Sequence, residues 1–336
     1  MANRFWVDGT GNWSDNTNHW SATTGGDPNA SKPTSADSVY FDANSFDGAS
    51  QTVTVDEIAS CLDMDWTGAT NTPTLGGTFQ LIIYGSLTFI AAMLFTKSGS
   101  LYFSPAGSVT VTVAGHELSS LSFVVMQGVG IVTLQDDFDS TGNDFHQVAG
   151  TVDTNGNTFT CGAMNQSYAG ARTLTLGASV INCTSWLYSG SNLTLNANTS
   201  IIKVTGTGVF AGGGLIYNNV ELNGTAHTIS GSNTFNTLKI GRTSAVTITG
   251  TAATTQTVRH LQLGNTINVV TLASTGAVWT LTGNVGFFGE NYMDISDVTA
   301  GYPQIYYAGR NSTDGGSTAN WIFNNPPRSA MWTHRR

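Results

Sequence analysis

Charge is scarce in this sequence. Only 10% of the 336 residues are Asp, Glu, Lys or Arg, where ordinary globular chains carry roughly a quarter. The balance is acidic, with 12 Lys and Arg against 21 Asp and Glu for a formal charge of −9. That argues against a general nucleic-acid binder, which needs a basic stripe to displace counterions. Cysteine is scarce too. Cys61, Cys161 and Cys183 form no CxxC, which excludes a disulfide scaffold and a standard zinc site, and they read as buried thiols. No stretch sets Leu, Glu, Lys and Ala at helical spacing, so long amphipathic helices are not expected. The most apolar run, LIIYGSLTFIAAMLF (81–95), is interrupted by Gly85, Ser86 and Thr88. It is too short to span a bilayer, reads as core strands, and gives no expectation of membrane insertion. The opening MANRFWV has one Arg and no apolar core, so no secretory signal is expected.

Glycine (39 residues), Thr, Ser and Asn take the place of the missing charge. Threonine suits pleated surfaces, and Gly and Asn tolerate the left-handed conformations of tight corners. Short words recur along the chain, most of them ended by Gly: TVTV (52–55), GSVTVTV (107–113), GIVTLQ (130–135), TLTLG (173–177), NVELNG (219–224), NTLKIG (236–241), RHLQLG (259–264). Their apolar/polar alternation is the signature of half-buried strands. Similar words also echo at about 20 residues (173 and 193), 23 (238 and 261) and 18 (LQLG to WTLTG). Such self-similarity marks a solenoid, because one coil cannot bury its apolar face without neighbours. The expected fold is all-β, a right-handed parallel β-helix, with a pair of β-sandwiches as the alternative. The expected division is an aromatic N-terminal cap at 1–44, a solenoid at 45–300, a C-terminal capping segment at 301–323 and a Pro/Arg tail at 324–336.

The opening FWVDGTGNWSDNTNHW (5–20) sets Trp6, Trp13 and Trp20 seven residues apart among turn-forming residues. Wide, rigid indoles could cover the first rung of a solenoid, whose open end is an aggregation hazard. An exposed platform for a sugar is the competing reading.

Motifs that carry chemistry are few. GHELSS (115–120) begins like a zinc-protease helix but has Ser120 where the second His belongs, and no nucleophile elbow or phosphate loop occurs. The six histidines show no ligand spacing. Glycan hydrolysis needs two carboxyl groups about 5–9.5 Å apart, and the candidates are Asp63 with Asp65 and the set Asp136, Asp137 and Asp139. A solvated acidic turn explains QDDFDSTGND (135–144) equally well, and Asp139, Asn143 and Asp144 could hold Ca²⁺ without the full calcium-loop pattern. No catalytic residue, metal site or cofactor is assigned. The tail NNPPRSAMWTHRR (324–336) follows a proline break, and its Arg328, Trp332, Arg335 and Arg336 make either a frayed end or a docking peptide.

The stretch FWVDGTGNWSDNTNHWSATTGG with PTSADSVYFDA resembles the opening of β-helical virion proteins of tailed bacteriophages and, more loosely, of autotransporter adhesin passengers. The segment YMDISDVTAGYPQIYYAGRNSTDGGSTANWIF (292–323) resembles the closing segment of the same phage proteins. Together they cover about a fifth of the chain. The resemblance implies a non-enzymatic virion protein, a fibre, spike or decoration subunit made in the host cytoplasm. It also implies capsid or tail partners, contact with a host-surface glycan, and a homo-oligomer, threefold in a tail fibre. A glycan-depolymerising tailspike and a secreted adhesin are the alternatives. The expectation of no secretory signal favours the virion protein.

Overall fold

The computed structural model describes residues 2–121, 124–241, 244–264, 267–283, 289–301 and 306–323. All regular structure among them is strand, and the chain forms a β-solenoid of stacked parallel strands. Its contacts group into two compact units, Met1–Val180 with Ser191–Asn196, and Ile181–Gly190 with Ala197–Arg336.

In the first unit, Ser38–Tyr40, Met64–Asp65, Leu87–Thr88, Ser108–Thr112, Ile131–Leu134, Gly150–Asp153, Arg172–Thr175 and Leu193–Asn196 stack as successive parallel neighbours. Alternation decides which side chains point inward. Val39, Met64, Leu87, Val111 and Leu134 are register partners, none more than 3% exposed. Each such side chain is worth roughly 1.5–3 kcal/mol when fully buried, and only the next rung can bury it. The ladder begins ahead of residue 45, because Val39 already pairs with Met64 and Asn3–Trp6 runs parallel to Ser38–Tyr40. Its outermost strand, Trp20–Ser21, turns back antiparallel on Asn3–Trp6, while the strands of the stack itself pair in parallel. Sandwiches built from hairpins are thereby ruled out.

In the second unit, Ile201–Val204, Ile216–Leu222, Thr234–Ile240 and Thr255–Leu263 stack in parallel, with Val204, Leu222, Ile240 and Leu263 facing inward. The three longer strands each break the alternation once. Tyr217 and Val220 are buried, but Asn218 and Asn219 between them are not, and Phe235 to Leu238 repeats the step. The side chains of this step stack, with Asn236 Nδ2 donating to Asn218 Oδ1 at 3.2 Å and Asn218 Nδ2 to the Ser200 carbonyl at 3.0 Å. Parallel pairing continues past residue 300, where Ile295 pairs with Asp314 and Tyr306 with Trp321.

A rung takes 18 residues between Val220 and Leu238 and 25 between Val39 and Met64. The echo at 238 and 261 marks a true rung, since Leu238 and Leu261 are partners. The echo from LQLG to WTLTG does not, because Leu281 pairs with Gln256 and lies 25 residues beyond it. All three cysteines are reduced and buried. Burial pushes the Cys183 thiol up to about 12 and raises that of Cys61 as well.

Candidate functional site

The N-terminal aromatics are interior groups. Trp6, Trp13 and Trp20 are 0%, 1% and 0% exposed. Trp6 stacks on His19 with centroids 4.7 Å apart and meets Trp20 edge-on at 5.0 Å, and Trp20 meets Trp13 at 4.9 Å. The indole N–H of Trp6 donates to the Gly9 carbonyl at 2.7 Å and that of Trp20 to the Trp13 carbonyl at 2.8 Å. Glycine is required at position 11 because a Cβ there would stand 1.9 Å from His19 Nε2. Sugar stacking needs an open indole face, and these three have none.

The acidic candidates hold turns. Asp63 accepts the Ser86 backbone N–H and the Ser38 hydroxyl, both at 2.8 Å, whereas Asp65 accepts the N–H and hydroxyl of Thr67 at 2.8 and 2.5 Å. Asp136 accepts the N–H groups of Val113 and Ala114 at 2.9 and 2.5 Å, and Asp137 accepts that of Thr158 at 2.7 Å. Each of these three carboxylates, Asp63, Asp136 and Asp137, ties its turn to a neighbouring rung, satisfying N–H groups that a corner leaves unpaired. The residues considered for calcium are engaged in backbone hydrogen bonds. Asp139 takes the Thr141 N–H at 2.8 Å, Asn143 donates to the Leu118 carbonyl at 3.1 Å, and Asp144 takes the Ala163 N–H at 2.7 Å. Among the described residues no three His, Cys, Asp or Glu side chains group as a metal site. The tail residues Arg328, Trp332, Arg335 and Arg336 lie outside the described residues.

The first unit has a groove that alternation alone could not reveal. Thr151, Thr173 and Thr194 are register partners on the outward face. With Val129, Ala171 and Asn192 they line an open depression of about 440 Å³. Gly150 floors it at φ +76°, where a Cβ would stand 2.1 Å from the Gly128 carbonyl oxygen. Arg172 also borders the groove but is 3% exposed, and its guanidinium donates to the carbonyls of Gln166 and Ser191. The lining contains no carboxylate, histidine or cysteine. A threonine hydroxyl without a neighbouring base is not an activated nucleophile, and this surface offers hydroxyls and methyl groups for contact. The sequence signal was the threonine spacing in GTVD, RTLT and NLTLN.

Buried ionisable groups are the other departure from expectation. His227, 2% exposed, accepts the Gly224 N–H on Nε2 at 2.9 Å, and burial pulls its pKa below the usual imidazole range. Lys97 is 0% exposed, its ammonium donates to the Phe79 carbonyl, and burial pulls its pKa down to about 8. No protein-family model matches the chain, and neither does any curated protein or solved structure.

Proposed function

We propose that the chain is a non-enzymatic structural subunit of a phage particle, a solenoid fibre, spike or decoration element that presents hydroxyl-rich faces to a host-surface glycan. The observation that carries the non-enzymatic part is the use of the carboxylates. Asp63, Asp136 and Asp137 accept backbone N–H groups across rungs, and the threonine-lined groove holds no acid or base. The resemblance of the opening and closing segments supports the particle. A stack of parallel rungs supports the mechanical role, since each rung is buried by the next and repeated subunits multiply weak contacts through effective concentration.

The test is incubation of the purified chain with polysaccharide from the host surface, reading both retention of the polymer and release of reducing ends. The expected result is retention that weakens about tenfold or more in Thr173→Glu, with no new reducing ends. Reducing ends released by the wild type and lost in Asp63→Asn or Asp136→Asn would overturn the non-enzymatic reading in favour of a depolymerase.

A further inference from the structure

The chain's charge is divided unevenly between its two units. The first contains sixteen of the twenty-one carboxylates and four of the twelve lysines and arginines, a formal −12; the second contains five and eight, a formal +3. Two of the four cations of the first unit, Lys97 and Arg172, are buried. From residue 98 to residue 171 there is no lysine or arginine, yet Glu117, Asp136, Asp137, Asp139, Asp144 and Asp153 all fall there. Glu117 forms an isolated parallel bridge with Asp139, and Glu117, Asp137 and Asp144 are exposed. This stretch of the first unit therefore carries six carboxylates and no lysine or arginine, and Glu117, Asp137 and Asp144 stand at its surface.

In the second unit, cations gather on the outer face of one sheet. Lys203, Glu221, Lys239 and Gln262 are register partners on four successive parallel strands. With strands about 4.8 Å apart, Lys203 and Lys239 lie about 10 Å apart. Glu221 stands between them and pairs with Lys239 at 3.2 Å. Arg259 and His260 follow each other on the fourth strand, both exposed, with His260 opposite Thr237. Neither Lys203 nor Arg259 forms an ion pair among the described residues. Six lysines and arginines among the described residues are not buried, Arg4, Lys32, Lys203, Lys239, Arg259 and Arg310. Half of them occupy this face.

We propose that this face of the second unit, carried by Lys203, Lys239 and Arg259, docks on the acidic surface of the first unit of a second copy of the chain. Charge complementarity selects that occupant: the same molecule supplies a unit of opposite sign, with a net formal charge of −12. Opposed potentials steer encounter and fix register, and they discourage pairing of like units. The contact joins two different surfaces, so it is heterologous and grows into a chain of copies or closes as a ring. This inference is independent of the virion reading, since it holds for any setting in which copies meet.

Sedimentation velocity of the full chain tests it at about 50 mM and about 500 mM NaCl, where the Debye length falls from about 14 Å to about 4 Å. The wild type is expected to self-associate at low salt, with an apparent Kd about tenfold or more weaker at high salt. The triple variant Lys203→Glu/Lys239→Glu/Arg259→Glu is expected to be monomeric at both. All three side chains face outward, so the variant is expected to fold, which circular dichroism checks. Glu117→Lys, on the acidic side, is expected to weaken association of the wild-type face. A wild type monomeric at low salt, or association that neither salt nor the triple variant changes, would overturn the proposal. Monomers that instead retain polygalacturonate through the same three residues would replace the second copy by an acidic polymer.

Discussion

Replacing Trp6 by alanine is expected to destabilise the first unit by about 3–5 kcal/mol, the range for emptying a fully buried large aromatic site. The indole is 0% exposed and lies between His19, stacked at 4.7 Å, and the edge of Trp20 at 5.0 Å. Its removal would also leave the Gly9 carbonyl without its donor. Urea denaturation of Trp6→Ala beside Phe79→Ala checks this, because Phe79 is 47% exposed and should cost about 1 kcal/mol or less. A loss below about 1 kcal/mol at Trp6, with a loss of sugar binding, would mean that the indole works as an open platform.

Lys97→Met is expected to stabilise the protein, by about 2 kcal/mol at pH 7. Burial lowers the Lys97 pKa from 10.5 to about 8, which corresponds to about 3 kcal/mol against the charged form. Leaving the Phe79 carbonyl without its donor returns about 1 kcal/mol. The advantage depends on pH in a defined direction. Between pH 8 and 10.5 the unfolded chain holds the lysine proton more tightly than the folded one, so wild-type stability gains from this group as pH rises through that window. Methionine has no such proton, and the difference between the two proteins should shrink towards pH 10.5. The raised thiol pKa values of Cys61 and Cys183 act in the opposite sense but are common to both proteins and cancel in the difference. Equilibrium unfolding at pH 7 and pH 10 measures it. A gap that stays constant, or a variant less stable than wild type at pH 7, would contradict this account of Lys97.

The rung was legible because its signal is local. In TLTLG and NLTLN each Leu or Thr shows its side by alternation, and Thr173 does pair with Thr194. The longer strands were read only in their second halves. NVELNG, NTLKIG and RHLQLG begin at the double polar step, where Tyr217-Asn218-Asn219-Val220 shifts the inward phase by one residue. A strict period of two discards Tyr217 and Phe235, although both are buried. Paired non-inward residues followed by a restored alternation are the mark of that bend. The groove was hidden for a different reason. Thr151, Thr173 and Thr194 belong to different rungs, and their alignment depends on turn lengths that vary from rung to rung. Arg172 was unreadable, since only packing decides that an arginine in a strand faces inward and bonds to carbonyls at the corner. Trp6, Trp13 and Trp20 announced a specialised module by composition, and only the fold shows that they serve it from inside.

Cryo-electron microscopy of intact phage particles is the most direct measurement of the proposed virion role. The account predicts copies of the chain on the outer surface of head or tail, as stacked parallel rungs about 4.8 Å apart, with the threonine face of residues 151, 173 and 194 turned to solvent. Particles that are complete and infectious without this chain in their density would contradict it.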